Sequence, residues 1–280
     1  MRYLSFHHDG QVRPGFIEGD RVKAIACSSL FEYIGLSPEQ RTRTHTDESF
    51  DLAQIALAAP VRPHKNVFCV GRNYLEHAKE GARALGRELK LPDVPTFFSK
   101  APTAIADPAA TLEFSRRVSP SFDWEAELAV VIGTRIKDAT EDRALDAVFG
   151  YTALNDISAR DLQRAHVQWL KGKSIDSSCP IGPWIVTPDE LGDPQHLDIA
   201  LRINGVRKQS ANTDQMIFKL PRLIAELSRG MTLEPGDVIA TGTPDGVGFA
   251  RTPPEFFNDG DVVEIEIEKI GILRNAIRIV

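Results

Sequence analysis

Glu125 and Glu127 stand two residues apart at the entrance of an apolar run, Leu128-Ala-Val-Val-Ile132. Such a run reads as a strand covered on both faces. Side chains at i and i+2 of a strand share a face, so both carboxylates point the same way beside chain that must be buried. Buried like charges are costly unless a positive charge joins them. Asp156 follows a second apolar run, Phe149-Gly-Tyr-Thr-Ala-Leu154. Three converging carboxylates with no cysteine pattern beside them suit a hard, oxygen-preferring divalent cation, Mg²⁺ or Mn²⁺. The competing reading is a solvated acidic strand face, which the flanking apolar run disfavours.

Other segments carry groups that could act beside such an ion. In Val70-Gly-Arg-Asn-Tyr-Leu-Glu-His77-Ala-Lys-Glu80, a helix from residue 74 puts His77 and Glu80 at i and i+3, within reach of each other. A carboxylate that orients an imidazole raises its basicity, which suits a general base. The plain alternative is a surface helix pair. Lys171-Gly-Lys173-Ser174 pairs lysine with glycine and permits close approach of an anion. It does not match the phosphate loop GxxxxGK[ST], and a solvated loop lysine is its plain reading. Thr241-Gly-Thr243-Pro-Asp-Gly246-Val-Gly248 follows a strand. Its small residues free backbone N–H groups for an oxyanion, or simply make a tight turn.

The elements that must position these groups are mostly strands. Arg2 to His7 and Phe16 to Ala26 read as short strands, with turns at Asp9-Gly10 and Glu18-Gly-Asp20. Residues 1 to 62 form a small module that ends in Ala59-Pro-Val-Arg-Pro63, where two prolines resist both helix and central strand. Tyr74 to Leu91 reads as a mostly helical, mobile lid, weakened by Gly81 and Gly86 at about 1 kcal/mol each. Strands dominate from Thr96 onward, at Leu128 to Gly133, Trp184 to Thr187, Asp198 to Asn204, Asp237 to Thr241 and Val262 to Ile267. Helical pieces are expected at Asp142 to Phe149, Ala159 to Leu170 and Lys219 to Arg229. Asn204-Gly205 marks a hairpin.

Composition sets the outer limits. The chain has 280 residues, 42% hydrophobic and 26% charged, with a net charge of -6. That is ordinary for a globular enzyme and argues against nucleic acid or an anionic membrane as partner. No apolar run approaches the ~20 residues of a membrane helix, and the first residues are too polar for a signal peptide. Cys27, Cys69 and Cys179 are odd in number and widely spaced, neither a disulfide framework nor a zinc pattern. A cytoplasmic setting is expected.

Together the blocks resemble the fumarylacetoacetate hydrolase superfamily from about Val67 to Asn275. They are Val70-Gly-Arg-Asn-Tyr74 with His77, Phe98-Ser-Lys100, Asp123-Trp-Glu-Ala-Glu127, Gly150-Tyr151, and Asn155-Asp156-Ile-Ser-Ala-Arg160-Asp161. Gly172-Lys173-Ser174, Pro180-Ile-Gly-Pro183, Asn212-Thr213 and Thr241-Gly-Thr-Pro-Asp-Gly-Val-Gly248 complete the set. The resemblance implies a mixed, mainly β fold, a distorted roll or barrel-like core in residues 63–280 with a small α+β domain in residues 1–62. It implies a homodimer, a divalent cation on Glu125, Glu127 and Asp156, and a catalytic set of His77, Glu80 and Lys173. Thr243, Arg72 and Lys100 fall in substrate-proximal blocks.

The founding members carry a further aspartate ligand upstream. The equivalent block here, Gly71-Arg72-Asn73-Tyr74, has no acid. That departure favours the acylpyruvate hydrolase, isomerase and decarboxylase branch. Ser177-Ser178 replaces a bulkier pair and predicts an altered pocket wall. The expected reaction is hydrolysis of a C–C bond in a 2,4-dioxo acid, giving pyruvate and a carboxylic acid through a stabilised enolate. Isomerisation or decarboxylation of a hydroxymuconate- or oxaloacetate-type diacid uses the same groups. So does hydrolysis of a 2,4-dioxo-3-deoxy sugar acid. A 2-oxo-acid-binding protein without catalysis would have no need of a positioned base.

Overall fold

A computed structural model describes residues 1–280. The fold is mainly β. A 12-stranded sheet runs from His45–Asp51 at one edge, through the first hairpins, to Thr96–Lys100 at the other. Cys179–Val186, Val148–Asn155 and Ala126–Ile132 lie side by side at its centre. A second sheet of five strands orders Val206–Asn212, Asp198–Ile203, Val262–Ile267, Gly271–Ile279 and Thr111–Phe114. The expected roll is present, but both sheets keep free edges, so the core is a layered stack and not a closed barrel.

Every residue of Ala126–Ile132 is buried, as its unbroken apolar sequence requires. Alternation sends successive side chains to opposite faces. Leu128, Val130 and Ile132 join a core with Leu201, Ile265 and Leu273 of the second sheet. Ala129 and Val131 join another with Tyr33 and Ile34 of the helix Leu30–Gly35. Glu125 and Glu127 share the parity of this second set.

The first 62 residues do not stand apart from the sheet. Arg2–His8 pairs antiparallel with Cys179–Val186, aligning Tyr3 with Ile185. Asn204 and Gly205 both take positive φ, 51° and 78°, and close the expected hairpin between Asp198–Ile203 and Val206–Asn212. The lid helix is shorter than its sequence suggests, Leu75–Ala84, because Gly86 turns the chain at φ 60°. The expected helix over Ala159 to Leu170 breaks into Arg160–Ala165 and Leu170–Lys173. The polar stretch after Ser37 hides a helix, Pro38–Arg43, with a capping box from Ser37 and Gln40. No helix is long and apolar enough to cross a membrane.

Candidate active site

Strand register builds the carboxylate cluster. Ala126 pairs with Asn155 and Glu127 with Leu154. One step beyond, the Asp156 N–H donates to the Glu125 carbonyl at 2.9 Å. Carboxylate oxygens of Glu125, Glu127 and Asp156 all lie within 4.8 Å of one another, and all three residues are buried. The Glu125 N–H donates to the Asn155 side-chain carbonyl at 3.0 Å, which fixes the strand's entrance.

Three cations face these acids. The Lys173 ammonium donates to Glu125 Oε2 at 2.8 Å and to Asp156 Oδ2 at 2.7 Å. Lys100 Nζ stands 2.8 Å from Asp156 Oδ1 and donates to the Ile157 carbonyl and Ser178 Oγ. Arg160 lies 2.7 Å from Glu125 Oε1 and donates to Asp123 Oδ1 at 2.5 Å. Burial alone would push Glu125 up, but Lys173 and Arg160 outweigh it and hold that carboxyl well below the usual range. The same acids raise Lys173 despite its burial. Burial lifts Asp123 to about 6, against the pull of Arg160.

Glu127 is the exception. It has no cation partner, and the Gly242 N–H donates to its Oε2 at 2.8 Å. Burial first, then the charges of Asp156 and Glu125, push it well above the ordinary carboxylate range. Four carboxylates, Asp123 included, thus face three cations, and Glu127 is the one left without a partner. Asp156 Oδ1 meets only the Lys100 ammonium, at 2.8 Å. Three oxygen donors, one of them on a carboxylate without a cation, fit a hard divalent cation better than a soft metal.

A cavity of about 560 Å³ opens in front of this cluster. His77, Glu125, Lys173, Thr243 and Arg72 all line it, so the structure brings together groups spread over 172 positions of sequence. His77 Nδ1 is 2.9 Å from Glu80 Oε1, and Glu80 Oε2 accepts from the Gly246 N–H at 2.9 Å. The lid helix is thereby tied to the loop after Thr243. Thr243 Oγ1 accepts from Gln209 at 2.8 Å. Lys100 is not in the cavity wall. It sits behind Asp156 with all its contacts internal, and its place is that of a positioning residue. Ser178 bridges Lys100 and the Lys173 carbonyl, behind the wall it was expected to form.

Sequence reasoning quoted Asp123 and Arg160 but gave them no role. Their pairing joins residues 37 apart, and nothing local signals it. Phe249 covers the pair from the other side: its N–H donates to Asp123 Oδ2 and its ring lies 4.6 Å from the Arg160 guanidinium.

Comparison with known proteins decides the family. The profile for fumarylacetoacetate (FAA) hydrolase C-terminal matches residues 66–278, and that for Rv2993c-like, N-terminal matches residues 1–60. The chain belongs to the fumarylacetoacetate hydrolase family. Within it, oxaloacetate tautomerase YisK of Bacillus subtilis (strain 168) is 44% identical over 266 residues, covering 93% of this chain and 87% of that protein. 2,4-Didehydro-3-deoxy-L-rhamnonate hydrolase of Sphingomonas sp. (strain SKA58) is 38% identical and covers 99% and 96%. The solved fumarylacetoacetate hydrolase from Exiguobacterium antarcticum superposes with a TM-score of 0.87 at 40% identity over the whole of both chains.

Proposed function

We propose that this fumarylacetoacetate hydrolase family member forms and protonates the C3 enolate of a 2-oxo acid, and that tautomerisation is its first reaction. The observation that carries this is one cavity lined by a carboxylate-oriented imidazole, a buried ammonium and Glu125, the outermost member of a three-carboxylate cluster. With Nδ1–H held by Glu80, His77 Nε2 is left basic and without a protein partner. It takes the proton from C3 and delivers it to the enolate oxygen to give the enol, and the reverse transfer regenerates the ketone. Lys173 uses two N–H groups on Glu125 and Asp156, and its third meets the developing enolate oxygen. A divalent cation held by Glu125, Glu127 and Asp156, Mg²⁺ or Mn²⁺ by its donor set, would supply Lewis-acid polarisation of the 2-oxo group. The lid helix excludes water once Glu80 is docked on Gly246. The relative named oxaloacetate tautomerase supports this reading, and oxaloacetate is the first substrate to try.

A second reading, C–C hydrolysis of a 2,4-dioxo acid of acylpyruvate or deoxy sugar acid type, is favoured by the rhamnonate-derived hydrolase that spans nearly the whole chain. There His77 would take its proton from an attacking water. Its products would be pyruvate and a carboxylic acid. The proposal further includes a homodimer in the cytoplasm, checked by sedimentation and by fractionation. Proton exchange at C3 in D₂O, followed by NMR, tests the central claim. His77→Ala should slow exchange by about 10²–10⁴-fold, the usual worth of a positioned base, while leaving Mn²⁺ binding intact. Exchange at the wild-type rate in that variant overturns the assignment of the base.

A further inference from the structure

The lid helix carries the base, yet a single hydrogen bond ties its side chains to the rest of the protein. His77 meets Glu80 and Lys79 meets Glu76, both within the helix. The exception is Glu80 Oε2, which accepts from the Gly246 N–H at 2.9 Å. Which ring nitrogen of a histidine keeps the proton is set by the hydrogen bond that the ring makes. The tautomer of His77, and the aim of its Nε2 into the cavity, therefore depend on how firmly Gly246 holds Glu80.

Gly246 is held in turn by its carbonyl, which accepts from Trp124 Nε1 at 3.1 Å and from Arg251 Nε at 3.4 Å. Arg251 also donates to the Lys208 carbonyl at 2.8 Å. That same carbonyl oxygen would lie 2.1 Å from a Cβ on Gly246, and with φ at 98° the position admits only glycine. Trp124 is 1% exposed, the largest of the fully buried side chains. Its ring packs against Phe257 with centroids 5.5 Å apart, and a side chain so enclosed does not drift. Its neighbour in the chain is Glu125, a member of the carboxylate cluster. Adjacent residues thus serve the two halves of the site, one in the cluster and one in the anchorage of the base. A base displaced by about 1 Å can cost a hundredfold in rate, so this anchorage bears on the chemistry.

We propose that Trp124, seconded by Arg251, is a positioning residue for the base: through Gly246 and Glu80 it fixes the Nδ1–H tautomer of His77 and the aim of Nε2. It acts through other residues and is not itself a group that takes or gives the proton. The proposal rests on the enolate reading above for its effect on rate, whereas the tautomer is read without any substrate.

The test is Trp124→Phe, which removes the indole N–H and keeps an aromatic ring. Arg251→Met, at a partly exposed position, decides the matter should the first variant fail to fold. ¹⁵N NMR of the Mg²⁺-loaded protein reads the tautomer of the neutral imidazole, with the His77 signals assigned by their loss in His77→Ala. The wild type should show Nδ1 protonated and Nε2 bare. Each variant should move the ratio toward Nε2–H by about fivefold, the scale of one hydrogen bond. In C3 exchange on oxaloacetate kcat should fall about tenfold, with KM and the Mn²⁺ Kd within about twofold of the wild type. An unchanged tautomer ratio with unchanged kcat in a folded variant overturns the positioning role and leaves the enolate reading standing. Loss of kcat and Mn²⁺ affinity together, with the tautomer unmoved, means that Trp124 merely supports the chain beside Glu125 and overturns the role too. A tautomer shift in a protein that exchanges C3 in neither wild type nor variant supports the positioning role and overturns the enolate reading.

Discussion

At the scale of the residue, the site is a problem in charge balance solved by long-range pairing. Glu125, Asp156 and Asp123 each have a buried cation, and Glu127 has none. An unpaired buried carboxylate destabilises the fold unless something positive or a proton joins it. Glu127→Gln should therefore raise the melting temperature of the metal-free protein, since it keeps the shape and removes a carboxyl that is costly to bury in either charge state. The same variant should lose the stabilisation that Mn²⁺ gives the wild type. A ligand at about a hundred times its Kd adds roughly 2.7 kcal/mol, a shift of several degrees that differential scanning calorimetry reads without any substrate. An unchanged Mn²⁺ shift in Glu127→Gln would remove Glu127 from the cation site. Lys100, by contrast, should act through Asp156. Lys100→Met removes one of the two cations on Asp156, Lys173 staying on Oδ2, and should cost less than the roughly 3–5 kcal/mol of a fully stranded buried charge, with Mn²⁺ affinity changed more than substrate KM.

At the scale of the element, much of the site was legible because it obeys period-two and helical spacing. Glu125 and Glu127 share a face by alternation, and His77 and Glu80 meet by i and i+3. The shared cluster with Asp156 was legible as two apolar runs ending in acid. What local pattern could not show is which strand lies beside which: the register that sets Asp156 against Glu125, or the pairing of Arg160 with Asp123. The helix Pro38–Arg43 was missed because it is polar all round with no buried residue, so it leaves no apolar period, although its capping box was present in Ser37 and Gln40. Lid length was overread because the apolar and polar mix continues past Gly86, where a positive φ ends the helix. Gly81 offers a direct test of the lid. It lies inside Leu75–Ala84, and a Cβ there meets nothing within 4 Å. Gly81→Ala should stabilise the helix by about 1 kcal/mol, and amide exchange over residues 78–85 should slow about fivefold at that energy. No change in protection would mean that the segment opens as a rigid flap and does not fray as a helix.

At the scale of the molecule, a single sheet crosses from the first 62 residues into the rest, and we propose that the two segments are distinct units sharing that sheet. One side chain fastens them on the solvent side of the seam. Asp107 accepts from the Ala59 N–H at 2.9 Å and from Arg62 at 2.6 Å, and its other oxygen is 3.0 Å from His7 Nε2. Burial works to raise this carboxyl, but the Ala59 N–H, His7 and Arg62 together bring it below the usual aspartate value of 3.8. A carboxyl depressed in the folded state stabilises the fold only while ionised. Its contribution is complete above the unfolded value, near 3.8, and is lost as pH falls through the lower folded value. Partial exposure screens the effect, which leaves about 1 kcal/mol. Asp107→Asn should therefore melt lower than the wild type by roughly 2 °C at pH 6, and the two curves should converge as pH falls below about 3.8. No gap at any pH would mean that the hydrogen bonds, and not the charge, hold the seam, because asparagine can still accept them.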